Sequence, residues 1–258
     1  MAEWTWEPDD FAALWYGDAH DRIPGPLRYT SRFAFRDDFD AHRAAVWQRY
    51  SADELDDINA AFHTLGGSDL RIEILGGTCK HKNNTGPHDI REYRILGARD
   101  AYRAVVLSQA GNQREHGPIR VRMFPAEQLP ARLVNAIPPC APGGEKPAIF
   151  HPHDLTPRRD TYLQDNARNT PREQYQRLLG RPVDGGGTAV LITAPLHTRT
   201  KPTKVLQWHD ISDDGRYTEH RADHITIRPT TPTDLTNHFS TWISRARQPL
   251  EDSHLETW

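Results

Sequence analysis

The sequence predicts an α+β fold of two related halves, each reading helix, strand, hairpin, strand, helix. The strands form a largely antiparallel sheet with packed helices and a quasi-two-fold relation between the halves. Three observations carry this prediction. Ile119-Arg-Val-Arg122 and Ile225-Thr-Ile-Arg228 both alternate apolar and polar residues, as half-buried strands do. Each leads, at one constant offset, into a helical stripe: Leu129, Leu133, Ala136 and Ile137 lie over Leu235, Phe239, Trp242 and Ile243. That is the i, i+4, i+7, i+8 spacing of a buried helix face. The segments upstream of these units also agree in type, order and caps.

Residues 8–50 precede the repeat. They predict a helix carrying Phe11, Leu14 and Trp15, an extended Ile23-Pro-Gly-Pro-Leu27, and a second helix with Phe39, Val46, Trp47 and Tyr50. Ser51-Ala-Asp-Glu54 is a capping box that opens a helix with Leu55, Ile58, Phe62 and Leu65, stopped by Gly66-Gly67. A strand, Leu70–Leu75, follows. After a long polar loop, Gly76–His88, comes a hairpin in which Tyr93–Gly97 turns at Arg99-Asp100 into Tyr102–Ser108. Residues 1–137 thus make the N-terminal half. Residues 138–169 are a linker, Pro138-Pro-Cys-Ala-Pro-Gly-Gly144, followed by a polar stretch that favours disorder. Residues 170–248 repeat the plan. Thr170-Pro-Arg-Glu173 caps a helix with Leu178-Leu179, stopped by Gly180. Gly185-Gly-Gly187 is a flexible entry into the strand Thr188–Thr193. Lys204–Ile211 then turns at Asp213-Asp-Gly215 into Arg216–His220. Residues 249–258 read as a loose tail of what is otherwise one globular unit.

Composition bounds the function classes. Only about a fifth of the chain is Leu, Ile, Val or Phe, but seven Trp, eight Tyr and eight Phe supply core anchors and the net charge is −3. A dedicated nucleic-acid binder shows a basic excess that is missing here. No apolar run approaches the roughly 20 residues of a membrane span. The acidic start does not resemble a signal peptide. Two cysteines, Cys79 and Cys140, make neither a disulfide framework nor a four-thiolate zinc site. The expected compartment is the cytoplasm.

The fourteen histidines raise the question of metal. Cys79, His81, His88 and Asp89 lie in the polar loop, and His151-Pro-His-Asp154 follows the linker. Neither run has paired zinc-ligand spacing, so both read as loop and connector. No nucleophile elbow, phosphate loop or His-Glu-x-x-His is present. Arg120, Arg122 and Arg228 project from polar strand faces, which a solvated surface explains. Neither a catalytic set, a cofactor nor a metal is expected. The alternatives are a metal-dependent hydrolase built on the histidine-rich loops and a binder of nucleic acid or an acidic partner through the arginine faces.

The order of several motifs resembles the EspG family of ESX (type VII) secretion-associated proteins. They are Phe11-Ala-Ala-Leu-Trp15, Pro26-Leu27, Asp69–Ile74, Leu133-Val-Asn-Ala-Ile-Pro-Pro139 with Gly143-Gly144, and Gly185-Gly-Gly-Thr-Ala-Val-Leu191. The closing run is Asp214-Gly-Arg-Tyr217, Ile225-Thr-Ile-Arg-Pro229 and Pro232-x-x-Leu235. The similarity spans roughly residues 8–245. It implies a cytosolic, non-enzymatic chaperone of quasi-two-fold α+β fold that holds helical-hairpin substrates of the PE/PPE class by an apolar tip. Binding of nucleic acid or membrane is not implied; a homodimer of the free protein is compatible with it. A sheet offers such a tip an apolar surface. Strands 188–193 and 205–211 are apolar on both alternations, as strands buried on both faces are. The expected contacts are therefore Val190, Ile192, Val205 and Leu206 on the sheet, with Leu178, Leu179, Phe239 and Trp242 on flanking helices.

Overall fold

The computed structural model describes residues 2–255 apart from 18–19, 87, 113, 157–169 and 199. Its frame is one ten-stranded antiparallel sheet. The strands are β1 (Ala2–Trp6), β2 (Arg71–Thr78), β3 (Arg91–Arg99), β4 (Arg103–Gly111), β5 (His116–Pro125), β6 (Ala148–Phe150), β7 (Val183–Ile192), β8 (Lys204–Ile211), β9 (Gly215–Arg221) and β10 (Ile225–Pro229). Their order across the sheet is β1-β5-β4-β3-β2-β7-β8-β9-β10-β6. From the β2–β7 seam, each half therefore runs outward in chain order and ends on one added edge strand. At the seam, Arg71 faces Ile192 and the register holds through Thr78 and Gly185.

Among the described residues there are seven α-helices: α1 (Pro8–Trp15), α2 (Arg36–Trp47), α3 (Ala52–Gly66), α4 (Leu129–Val134), α5 (Pro152–Leu155), α6 (Pro171–Leu179) and α7 (Pro232–Leu255). Both expected capping boxes form. The Ser51 amide donates to Glu54 at 2.9 Å and the Thr170 amide to Glu173 at 3.1 Å. A third starts α7, where the Thr231 amide donates to Asp234 at 2.9 Å.

The helices sort by face. On one face, which we call the outer face, α1 and α3 close a core around Phe11, Trp15, Ile58 and Phe62 over Leu96, Val105, Leu107 and Val121. At the opposite end of that face, α6 lays Tyr175, Leu178 and Leu179 against Phe150, Ile211, Tyr217 and Ile225. The inner face carries α4 and α7, the helices of the repeated unit. Leu129, Leu133 and Ile137 pack there with Leu235, Phe239 and Trp242 over Ile72, Ile74, Ile95, Leu191 and Trp208. Both helical stripes thus bury on one sheet face, as their shared spacing requires.

The acidic start, to which the sequence assigned no element, forms strand β1, with Trp4 and Trp6 stacked at 5.7 Å between centroids. Three expectations need correction. The linker contains β6 and α5, and its Pro138–Gly144 part is fixed to β9: Arg216 donates its amide to Ala141 at 2.7 Å and accepts from Gly143 at 3.1 Å. Helix α7 continues past residue 248 into the supposed tail. Gly185–Gly187 is interior strand rather than flexible entry. Gly187 there opposes Gly76 across the seam, and the rings of Tyr93 and Trp208 fill the space that side chains at either glycine need. Most of the polar stretch expected to be disordered lies outside the described residues.

Candidate partner surface

The outer face is covered at its two ends and open in the middle. Alternation along a strand puts Arg71, Glu73 and Leu75 on this face, since Ile72 and Ile74 belong to the inner core. Register carries the row onward: Glu73 faces Val190, and Val190 faces Val205 on the next strand. Leu75 is 48 % exposed and Val205 47 %, while Val190 is half-buried. Val190 and Val205 therefore stand side by side with Glu73 completing their row, and Leu75 lies one step along β2 on the same face, opposite Thr188.

A cleft of about 700 Å³ borders this row and shares Glu73 with it. Its walls include Trp15, Ile23, Arg71, Ile192 and Leu196. Arg71 is held rigidly there. Its guanidinium donates to Glu73 at 2.8 Å and to the carbonyls of Ala194 and Pro195 at 2.6 and 3.1 Å. These bonds fix the segment after β7 beside the cleft, whose wall also holds Ile192, 5 % exposed.

The eight residues expected from sequence separate on this geometry. Val190 and Val205 stand together on the open row. Ile192 lies beside them, buried in the wall of the cleft. Leu206, Phe239 and Trp242 are buried on the inner face and form core there, so they offer no surface. Leu178 and Leu179 face down from α6 onto β6, β9 and β10. The strands around 190 and 205 are thus not buried on both faces, because α1–α3 and α6 stop short of this row. Sequence reading passed over Leu75. Its signal was phase: in Leu70-Arg-Ile-Glu-Ile-Leu75 it is the apolar residue sharing the side of Arg71 and Glu73.

The residues weighed for other chemistry are dispersed into local contacts. Cys79 Sγ lies 3.9 Å from Asp184, His81 Nε2 lies 3.0 Å from the Asp89 carbonyl, and His88 is exposed. His151 caps α5 by accepting the His153 amide at 3.4 Å. Among the described residues, no three His, Cys, Asp or Glu side chains converge as metal ligands. Arg120 donates to Glu3 of β1 at 2.7 Å. Among the described residues no helix is long and apolar enough to cross a membrane.

Residues 7–240 match the EspG family, which covers most of the chain. The chain belongs to the EspG family. No curated protein matches it. The family is one of ESX (type VII) secretion-associated chaperones rather than of enzymes, and membership gives this chain the same coarse role. What an EspG chaperone needs is a surface for another protein. The patch of Leu75, Val190 and Val205 is an aliphatic surface on the open middle of the sheet, beside a cleft of about 700 Å³.

Proposed function

We propose that this EspG-family chain is a cytosolic chaperone that holds a helical-hairpin, PE/PPE-like substrate of a type VII system. The apolar tip of the hairpin sits on Leu75, Val190 and Val205 and reaches into the neighbouring cleft. The observation supporting this reading is the exposed aliphatic patch of Leu75, Val190 and Val205 in the middle of the outer face, between the cores that α1, α3 and α6 close at its two ends. An apolar tip left in water promotes self-association, and covering it keeps the substrate monomeric until delivery. A free chaperone faces the same penalty and pairs with a second copy through this row. The interface expected of such a releasable complex is about 1,200–2,000 Å² in total.

Co-purification of chaperone and substrate tests the reading. Val205→Asp and Val190→Asp place a charge where the tip must be desolvated, and each should weaken binding by about 2 kcal/mol or more. Because Val205 is half-exposed, its variant should keep the circular dichroism of the parent. Arg120→Ala, on the inner face at β5, should bind as the parent does. Full affinity in folded Val205→Asp and Val190→Asp removes this row from consideration.

A further inference from the structure

On the inner face, away from the row above, α7 roofs a pocket of about 250 Å³ over β8, β9 and β10. Its lining is Leu206, Thr218, His220, Thr226, Arg228 and His238. Pairing of β9 with β10 sets this pattern, because Thr226 faces His220 and Arg228 faces Thr218. His220 and Arg228 are exposed and stand at the mouth. His238 hangs from α7, its ring centroid 6.3 Å from that of His220 and 4.8 Å from that of Trp242. Its Nε2 is buried and has no hydrogen-bond partner among the described residues. A buried polar atom without a partner calls for a ligand or water.

The charges around the pocket are mostly basic, with Asp234 near enough to Arg228 for the two charges to interact. Lys204 of β8 lies on the same strand face as Leu206, and Arg245 lies two turns along α7 from His238. Asp234, one turn before His238, is the nearest acid on that helix face. Its carboxylate is engaged by the Thr231 amide and hydroxyl at 2.9 and 2.6 Å. No carboxylate lines the pocket itself. Burial, and then His220 and Arg228, push the His238 imidazole down to about 4.

We infer that this pocket is a site for one small tetrahedral oxyanion of the phosphate or sulfate class. Arg228 and His220 grip it at the mouth, and His238 Nε2 meets it from the roof. Its volume accommodates one such ion together with water. An anion here favours the imidazolium over the imidazole, so binding raises the pKa of His238. By reciprocity, affinity for the anion rises as pH falls through the raised pKa of the bound form towards about 4.

Sulfate is the probe of choice because its own charge is constant over that range. The test is an NMR titration of the histidine rings of the full chain, in sulfate and in chloride of matched ionic strength. Sulfate should raise the His238 pKa by about one unit or more, a tenfold preference for the charged ring, and leave exposed His63 unmoved. Arg228→Gln should abolish that shift and Arg120→Gln should keep it. Identical titration in the two salts, or an equal shift in Arg228→Gln, overturns the proposal. Val205→Asp should leave the sulfate response intact, so the pocket and the substrate row stand or fall separately.

Discussion

Arg216 is 3 % exposed, yet it carries a full charge into the inner core. Asp210 answers with both oxygens, at 2.7 and 2.8 Å, and the Pro138 carbonyl takes a further hydrogen bond at 3.0 Å. Burial works against this charge, but bonding to Asp210 and its field hold Arg216 above its ordinary pKa. Removing one member of such a pair strands the other. Arg216→Ala should therefore cost about 3–5 kcal/mol, read as a lower denaturant midpoint at unchanged slope. The doubly apolar chain, Arg216→Met with Asp210→Leu, should recover most of that loss. A double variant as unstable as the single one means that anchoring Pro138–Gly144, rather than charge pairing, is the main role of Arg216.

At the scale of elements, α6 is a shallowly seated helix. None of its residues is fully buried, and one polar junction fastens its face to β9. Glu219 accepts from Tyr175 of α6 at 3.0 Å, from Arg221 at 2.6 Å and lies 3.2 Å from His209 Nε2. Burial alone raises the pKa of this carboxyl; bonds from His209 and Tyr175 and the charge of Arg221 outweigh it and hold it below 4.5. The junction is then fully formed above pH 4.5 and is lost as pH falls through the lowered value. Hydrogen exchange across 171–179 should accelerate in that acid window before exchange in β2 and β7 does. Glu219→Gln should remove most of the pH dependence and speed exchange there at neutral pH. Unchanged exchange in that variant means that Leu178 and Leu179 hold the helix by themselves. The capping boxes of α3 and α6 were legible as sequence because a cap is a local interaction. Edge strands were not: β1 and β6 hold five and three residues, and the partners that order them, β5 and β10, are distant in sequence. The site was half legible for the same reason. Alternation showed that Val190 and Val205 share a side, but whether a helix covers that side depends on where α3 and α6 end.

For the whole molecule, the order of strands about the β2–β7 seam is compatible with a two-fold relation between halves, which superposition tests. In an experimental structure, superposing residues 117–137 on 223–243 should bring strand and helix together with the same hand, and should carry β2 towards β7. A fit that matches the helices but reverses the strands is incompatible with duplication. The seam also governs how the protein is made. Beta2 gains its second neighbour only when Val183–Ile192 has been synthesised. At about 5–20 residues per second, the emerging chain spends several seconds with β2 as a bare edge, its hydrogen-bonding groups open to any other strand. A nascent first half is thus exposed to unwanted strand pairing. The polar Gly76–Gly77 end of β2, with little side chain to bury, limits how strongly a wrong strand is held there until the ribosome delivers the right one.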